Sequence, residues 1–387
     1  STYSCITALV GGKFNKPEEL LFRKVGVRYS NIDQWANRHP FDHQIVEKDW
    51  KKQIIKYNNP KPILSSTDEF DLNITFLGPQ VNGFGNSNEM SISFETWVEI
   101  EAKNEFHINK YQSIIRVIQN FLSLGMGNPT HPIKIYGISD HNEKVKDEEI
   151  EFPIDIYYPV AWWPDDFKEI HAPLMLFSLP VIEDSFEMYV RKWLEMYDLI
   201  EPSLNLYFTN VYNPENYYEM RFLSIVQALE TYHRRVFGGN YQKRDEYLNT
   251  IYPHIIEAIP NELKSDFKES IKGRLRYLNE YSLRRRLKVL IKHIAENLEE
   301  FDFDFIKSNK AKDQFINDVV NTRNYWTHYS EKLSESAPQT GEERLSLITK
   351  LQFVLEICFL IDLSFPPELI KSQIKRSHNF NILRSIQ

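Results

Sequence analysis

Apolar and polar residues alternate from Met90 to Ala102. Ile92, Phe94, Thr96, Val98, Ile100 and Ala102 share one parity, and Ser91, Ser93, Glu95, Glu99 and Glu101 share the other, with Trp97 the exception. A period of two puts one parity on a buried sheet face and the other in water, which predicts a half-buried strand. Glu69 to Val81 reads as its partner, joined through a turn rich in Gly and Asn over 82–88. Further strands are expected around 22–29, 133–138, 154–158 and 174–179. Pro153, Pro159, Pro164, Pro173 and Pro180 punctuate that stretch and keep its strands short. A helix over 109–124, stopped by Gly125-Met126-Gly127, interrupts the strands, and a second is expected over 184–199.

The period changes near residue 213. Asn213-Pro214 reads as an N-cap followed by proline at the first helical position. Phe222, Ile225, Val226, Leu229, Tyr232, His233 and Val236 then recur at helical spacing, up to Gly238-Gly239. Leu283, Leu287, Leu290, Ile294 and Leu298 mark another helix, and Phe315, Ile316, Val319, Val320 and Trp326 a third. Thr340 with Glu343 reads as a capping box opening a last long helix, which is apolar nearly all round and ends at Pro366-Pro367. A helix without a polar face belongs in the middle of a bundle. The fold class expected is α+β, with a strand-rich domain over 1–212 and an all-α bundle over 213–387.

Composition narrows the class. The 387 residues are 42% hydrophobic and 14% aromatic, enough apolar side chain for two sizeable cores. A net charge of -8 is unlike a general nucleic-acid coat protein, although local basic segments can still bind nucleic acid. One such segment runs from Arg274 to His293. It holds Arg274, Arg276, Arg284, Arg285, Arg286, Lys288 and Lys292 against a single acid, Glu280. Two cysteines, Cys5 and Cys358, build neither a disulfide framework nor a cysteine-rich zinc site, so a reducing cytoplasmic compartment is expected. His39 and His43 have Pro40 between them and no accompanying Glu, so neither a metal nor a cofactor is expected. No apolar run is long enough for a membrane span. The chain starts at Ser1 without a visible signal peptide, and whether it is processed or shortened stays open.

The run with the most chemistry is Asn321-Thr322-Arg323-Asn324-Tyr325-Trp326-Thr327-His328-Tyr329, near the end of an amphipathic helix. Histidine is the side chain best poised for proton transfer near neutral pH. Arginine is a permanent planar cation that grips two phosphate oxygens. Asn324 lies one helical turn before His328, within reach to orient its imidazole. Arg323 and His328 lie five apart, about 140° around an ideal helix. They meet at one phosphate only if the Arg reaches round, the helix ends between them, or a second subunit contributes.

Arg, then four residues, then His, with Asn directly after the Arg, resembles the signature of HEPN ribonucleases. The helical run 222–235 and Ser282-Leu283-Arg284-Arg285-Arg286-Leu287 resemble the ApeA-like branch of that family. The front part, including 22–35 and Phe76-Leu77-Gly78-Pro79, looks like the N-terminal domain of ApeA-like anti-phage proteins. The resemblance implies further strands upstream, which fits a shortened chain. It also implies a metal-independent endoribonuclease acting in abortive infection. Arg323, Asn324 and His328 would cleave RNA, with tRNA one candidate, to 2′,3′-cyclic phosphate and 5′-hydroxyl ends. The active form would be a homodimer with a composite site, and the N-terminal domain would sense a phage-derived trigger. HEPN proteins paired with small nucleotidyltransferases usually carry a tyrosine two residues after the His. Here that position is Ser330, which argues against such regulation.

Lesser candidates are Arg284, Arg285, Arg286, Tyr325 and Tyr329 for RNA binding, and Glu230 and His233 for support of the site. Each has a plainer reading as a solvated charge, a core histidine or an interface tyrosine. The alternative for the whole domain is a non-catalytic HEPN scaffold that binds nucleic acid or a protein partner.

Overall fold

The computed structural model describes residues 7–46, 53–83, 90–139, 152–158, 169–299, 303–329, 334–335 and 337–386. The chain divides into two compact units, Ser1–Glu195 with Gln373–Asn381, and Met196–Ser372 with Ile382–Gln387.

The first unit contains β1 (Ala8–Val10), β2 (Leu21–Tyr29), α1 (Ile32–Ala36), β3 (Phe41–Ile45), β4 (Gln53–Tyr57), β5 (Phe70–Asn82), β6 (Ser91–His107), α2 (Ile108–Met126), β7 (Pro132–Ile138), β8 (Ile154–Tyr157), α3 (Leu179–Ile182) and the start of α4 (Phe186–Tyr212). Six strands form one antiparallel sheet in the order β1-β8-β7-β2-β6-β5, and β3 pairs with β4 separately. The alternation in β6 sets its register: Ile74 faces Val98 and Leu72 faces Ile100, while Val27 and Val25 meet the same two residues from the other side. These side chains are buried, and α2 lies against β2 and β6. Two tyrosines tie it down: Tyr29 donates to the Ile115 carbonyl at 2.9 Å and Tyr111 to the Phe22 carbonyl at 3.1 Å.

Trp97, the exception to the alternation, is buried on the opposite face, where its ring meets that of Tyr136 edge to face at 5.2 Å. Tyr136 lies directly over Gly26, where a Cβ would come within 2.2 Å of the ring. Any larger residue at 26 would displace the tyrosine.

Three sequence expectations need correction. The segment 174–179 is no strand: Pro173 sits in a 3-10 turn (Ala172–Leu174), and Pro180 opens α3. Met175, Leu176, Phe177 and Leu179 are buried as a plug, with the Phe177 N–H donating to the Gly125 carbonyl at 3.0 Å instead of to a ladder. The helix expected over 184–199 continues as α4 to Tyr212, with non-helical angles at Ile200 two residues before Pro202. Asn213 therefore finishes that helix, donating from its side chain to the Thr209 carbonyl at 2.9 Å, and does not cap the next one.

The second unit holds the rest of α4, then α5 (Tyr218–Phe237), α6 (Arg244–Asn249), α7 (Ile251–Glu257), α8 (Ser265–Leu275), α9 (Leu283–Leu298), α10 (Asn309–His328) and α11 (Gly341–Asp362). Helices α12 (Pro367–Arg376) and α13 (His378–Ile386) end the chain. Helix α11 opens on the Thr340–Glu343 capping box and is buried from Leu347 to Leu360 except at Lys350. It packs against α5 and α9 as the central helix of the bundle. It stops before the prolines: Ser364, in the left-handed region at φ 61, donates to the Ile361 carbonyl, and Phe365 to that of Leu360. Pro367 instead opens α12. The short helices α6, α7 and α8 carry too little apolar periodicity to have been read from the sequence.

Candidate active site

Helix α10 starts at Ser308, whose hydroxyl accepts from the Ala311 N–H at 3.1 Å. Phe315, Ile316, Val319, Thr322 and Trp326 bury one face of it, and the Trp326 ring meets Phe222 of α5 edge to face at 4.8 Å. Burial of that stripe fixes the rotation of the helix. Val320, Arg323 and Asn324, spaced three and four apart, then fall on a neighbouring stripe.

There they join the start of α9 and one residue of α5. A hollow of about 410 Å³ is lined by Glu230, residues 281–284, Val320, Arg323 and Asn324. Ser282 caps α9, and Arg284 reaches across to α10, donating to Asn317 Oδ1 at 2.6 Å. Arg323 donates to Asn324 Oδ1 at 3.3 Å. Both guanidiniums are thus held by neutral amide oxygens. Among the described residues neither makes an ion pair with a carboxylate, although Glu230 stands on the same wall. Two cations oriented by neutral acceptors retain their attraction for a phosphate.

Arg323, Asn324, Arg284 and Glu230 are therefore brought together, and the other candidates lie elsewhere. His328 is the last residue of α10, exposed, and outside the walls of the hollow. The helix does not end between Arg323 and His328. It ends after both, at Tyr329 with φ 48, whose N–H reaches the Tyr325 carbonyl. Asn324 is bonded to Arg323, and no hydrogen bond to His328 forms among the described residues. Tyr325 and Tyr329 meet edge to face at 5.7 Å, with Tyr329 exposed. Arg285 is exposed, with its guanidinium carbon 5.4 Å from the Tyr281 ring centroid.

Arg286 and His233 are both buried behind the wall. Arg286 donates through Nε to the Tyr281 carbonyl at 3.1 Å and approaches His233 Nδ1 at 3.3 Å and Glu280 at 3.9 Å. A guanidinium so enclosed has no face left for RNA, which corrects the reading of Arg286 as a phosphate contact. Burial, and then the charge of Arg286, push the His233 imidazole down to about 4. It is neutral at neutral pH and can accept from Arg286. The pair supports the 281–284 wall from inside.

Sequence reasoning missed Tyr281, which lines the hollow. Its one signal is position, just ahead of the Ser282 cap. Elsewhere in this unit, buried Glu356 accepts from Tyr207 at 2.8 Å, and Asp362 accepts from Tyr232 at 2.7 Å. Those acids brace the core and do not face the hollow.

The first unit has a larger hollow, about 870 Å³, on the sheet face that carries Trp97 and Tyr136. Two of its three charged residues are paired: Glu99 accepts from Tyr136 at 2.6 Å and pairs with Lys24 at 2.8 Å, and Lys134 pairs with Glu95 at 3.4 Å, while Asp155 is exposed. His43 of β3 is bonded to Gln53 at 2.6 Å. No described helix is long and apolar enough to cross a membrane.

The family model for the ApeA N-terminal domain 1 matches residues 1–193, and that for the Apea-like HEPN matches residues 223–369. No curated protein and no solved structure matches the chain. With both matches in that order over a strand-rich part and a helical part, the chain belongs to the ApeA-like proteins that carry a C-terminal HEPN domain.

Proposed function

We propose that this protein is an endoribonuclease of anti-phage abortive infection, with Arg323 and His328 as catalytic residues. ApeA-like HEPN domains point to anti-phage defence and to a nuclease family. The observation that carries the reading is the pair of guanidiniums, Arg323 and Arg284, turned into one hollow without an ion pair among the described residues.

The chemistry follows from the groups present. His328 takes the proton of a ribose 2′-hydroxyl, and the freed oxygen attacks the adjacent phosphorus. The P–O5′ bond breaks, and the 5′-oxygen leaves with a proton supplied by the conjugate acid. The products are a 2′,3′-cyclic phosphate and a 5′-hydroxyl, with no metal required for any step. Arg323 stabilises the charge that grows on the phosphoryl oxygens. Asn324 orients Arg323, and Arg284 holds the neighbouring phosphate.

Within one chain His328 stands outside the hollow that holds Arg323. This supports a homodimer in which a second copy completes each site. The first unit would sense a phage-derived trigger and release the activity. RNA is the substrate, with tRNA one candidate. The same separation of His328 from the hollow favours one other reading, a scaffold that binds RNA without cutting it.

Purified wild type, Arg323→Ala and His328→Ala, incubated with total RNA or tRNA under activating conditions, separate the two. Wild type is expected to cut, and each variant alone to fall by at least about 100-fold. Mixing the two variants is expected to restore part of the activity through hybrid dimers. A wild type that never cuts, or variants that cut equally well, would sink the nuclease reading. Absent complementation would sink the composite site.

A further inference from the structure

We propose that Tyr241, Tyr281 and Arg285 form a nucleobase subsite beside the Arg323 hollow, which takes an unpaired nucleotide next to the scissile phosphate. The proposal rests on the ribonuclease reading for which phosphate is cut, but the subsite is a binding device that can be tested by itself.

Tyr281 lines the hollow together with Arg323 and Arg284. Its ring carries Tyr241 edge to face at 4.7 Å and an interplanar angle of 82°. The guanidinium carbon of Arg285 lies 5.4 Å from the same ring's centroid. Tyr241 is 63% exposed and Arg285 is exposed, so the outer side of this step is open. A continuous surface thus leads from two cations that suit a phosphate to two rings and a third cation that suit a base.

The step is held rigid. The Tyr241 N–H donates to the Asn279 carbonyl at 2.9 Å, and the Tyr281 N–H to the Gly239 carbonyl at 2.7 Å. Buried Asn279 closes the neck from both sides, accepting from the Gln242 N–H at 3.1 Å and donating to the Gln242 carbonyl at 2.7 Å. The Tyr281 carbonyl is held in turn by Arg286. Little entropy is then lost when a base stacks on the rings. A base inside an A-form duplex has both faces covered by its neighbours, so only an unstacked nucleotide offers a face to these rings. The structure thereby assigns a preference for loops and single strands. Every base has such a face, so the preference is tolerant of sequence.

The test uses the full chain carrying His328→Ala, so that bound RNA is not cut. The probe is a single-stranded oligoribonucleotide containing 2-aminopurine, alone and annealed to its complement. The expected result is quenching of the single strand and much weaker binding of the duplex. Adding Tyr241→Ala is expected to abolish the quench and weaken binding about tenfold, while Tyr241→Phe retains both. Thermal melting and sizing of each variant accompany the titration. Equal affinity and quench in Tyr241→Ala would overturn the subsite, as would equal binding of duplex and single strand. An affinity loss that tracks dissociation of a dimer would overturn it too, making Tyr241 a subunit contact. If the probe is bound and quenched while wild type cuts no RNA, the ribonuclease reading falls and the subsite stands. If wild type cuts while Tyr241→Ala neither loses affinity nor changes its cleavage, the reverse holds.

Discussion

Arg28 in the first unit and Arg323 in the second are both half-buried arginines, and they are used in opposite ways. Arg28 is spent on its own fold: it pairs with Asp33 and with Glu95, each at 2.8 Å. Asp33 also accepts the Thr96 N–H at 2.8 Å, so the arginine locks α1 onto β6. Among the described residues the Arg323 guanidinium meets only the amide oxygen of Asn324, at 3.3 Å. A guanidinium saturated by carboxylates has little left for an incoming anion. One oriented by a neutral amide keeps its charge available. The contrast separates a cation spent on carboxylates of its own fold from one oriented by a neutral amide, the state the proposed function requires of Arg323.

The sharpest way to break the comparison is to remove each arginine and measure both stability and activity. Arg323→Ala is expected to lower RNA cleavage by at least about 100-fold, while its unfolding free energy changes by no more than about 0.5 kcal/mol. Arg28→Ala is expected to do the reverse, costing about 2 kcal/mol in denaturant titration because Asp33 and Glu95 lose charged hydrogen bonds. If Arg323→Ala destabilises as much as Arg28→Ala, Arg323 is a structural residue.

Acidification probes the same contrast through titrating groups. The folded-state value of His233 is depressed to about 4 from an ordinary 6.5. The unfolded chain therefore takes up the proton first, so stability is full above about 6.5 and is lost as pH falls toward about 4. Between pH 7 and pH 5 the second unit is expected to lose about 2 kcal/mol that His233→Gln does not lose. Burial of Glu95 opposes its ionisation, but Arg28, then Lys134 and hydrogen bonds from Trp97 and Gln80, outweigh it and hold the carboxyl below its ordinary value of 4.5. Its contribution is present above that value and is lost only as pH falls below it. Acid unfolding followed by unit-specific probes should show the second unit yielding first. Simultaneous loss of both would remove His233 from the account.

The smallest effect is expected at Arg284. Its bond to Asn317 involves no carboxylate, so Arg284→Ala should weaken RNA binding several-fold, uniformly across sequences, and make the salt dependence shallower by about one phosphate contact. An unchanged salt slope would make Arg284 only a tie between α9 and α10.

Much of this was legible in the chain. Alternation of Ile92, Phe94, Thr96, Val98 and Ile100 determined the strand and its buried face, because a pleated strand admits only one parity on the core. Thr340 and Glu343 determined where the central helix begins, because a cap depends on four adjacent residues. The Arg-Asn-x-x-x-His run located the candidate chemistry for the same reason: residue type and local spacing are properties of sequence. The spacing by itself sets Arg323 and His328 about 140° apart around an ideal helix.

Tertiary structure decided what local spacing does not encode. Asn213-Pro214 carries a helix-start pattern, yet the Asn213 side chain is bonded back to the Thr209 carbonyl in the last turn of α4. Arg284, Arg285 and Arg286 are consecutive and chemically identical, but a helix turns about 100° per residue. One therefore faces the hollow, one lies over Tyr281, and one is buried on His233. Which arginine meets which environment depended on α5 and α10 packing against α9. Residues brought together across tens of positions, such as Glu230, Tyr281 and Arg323, share a wall only because three helices bury their apolar stripes against one another.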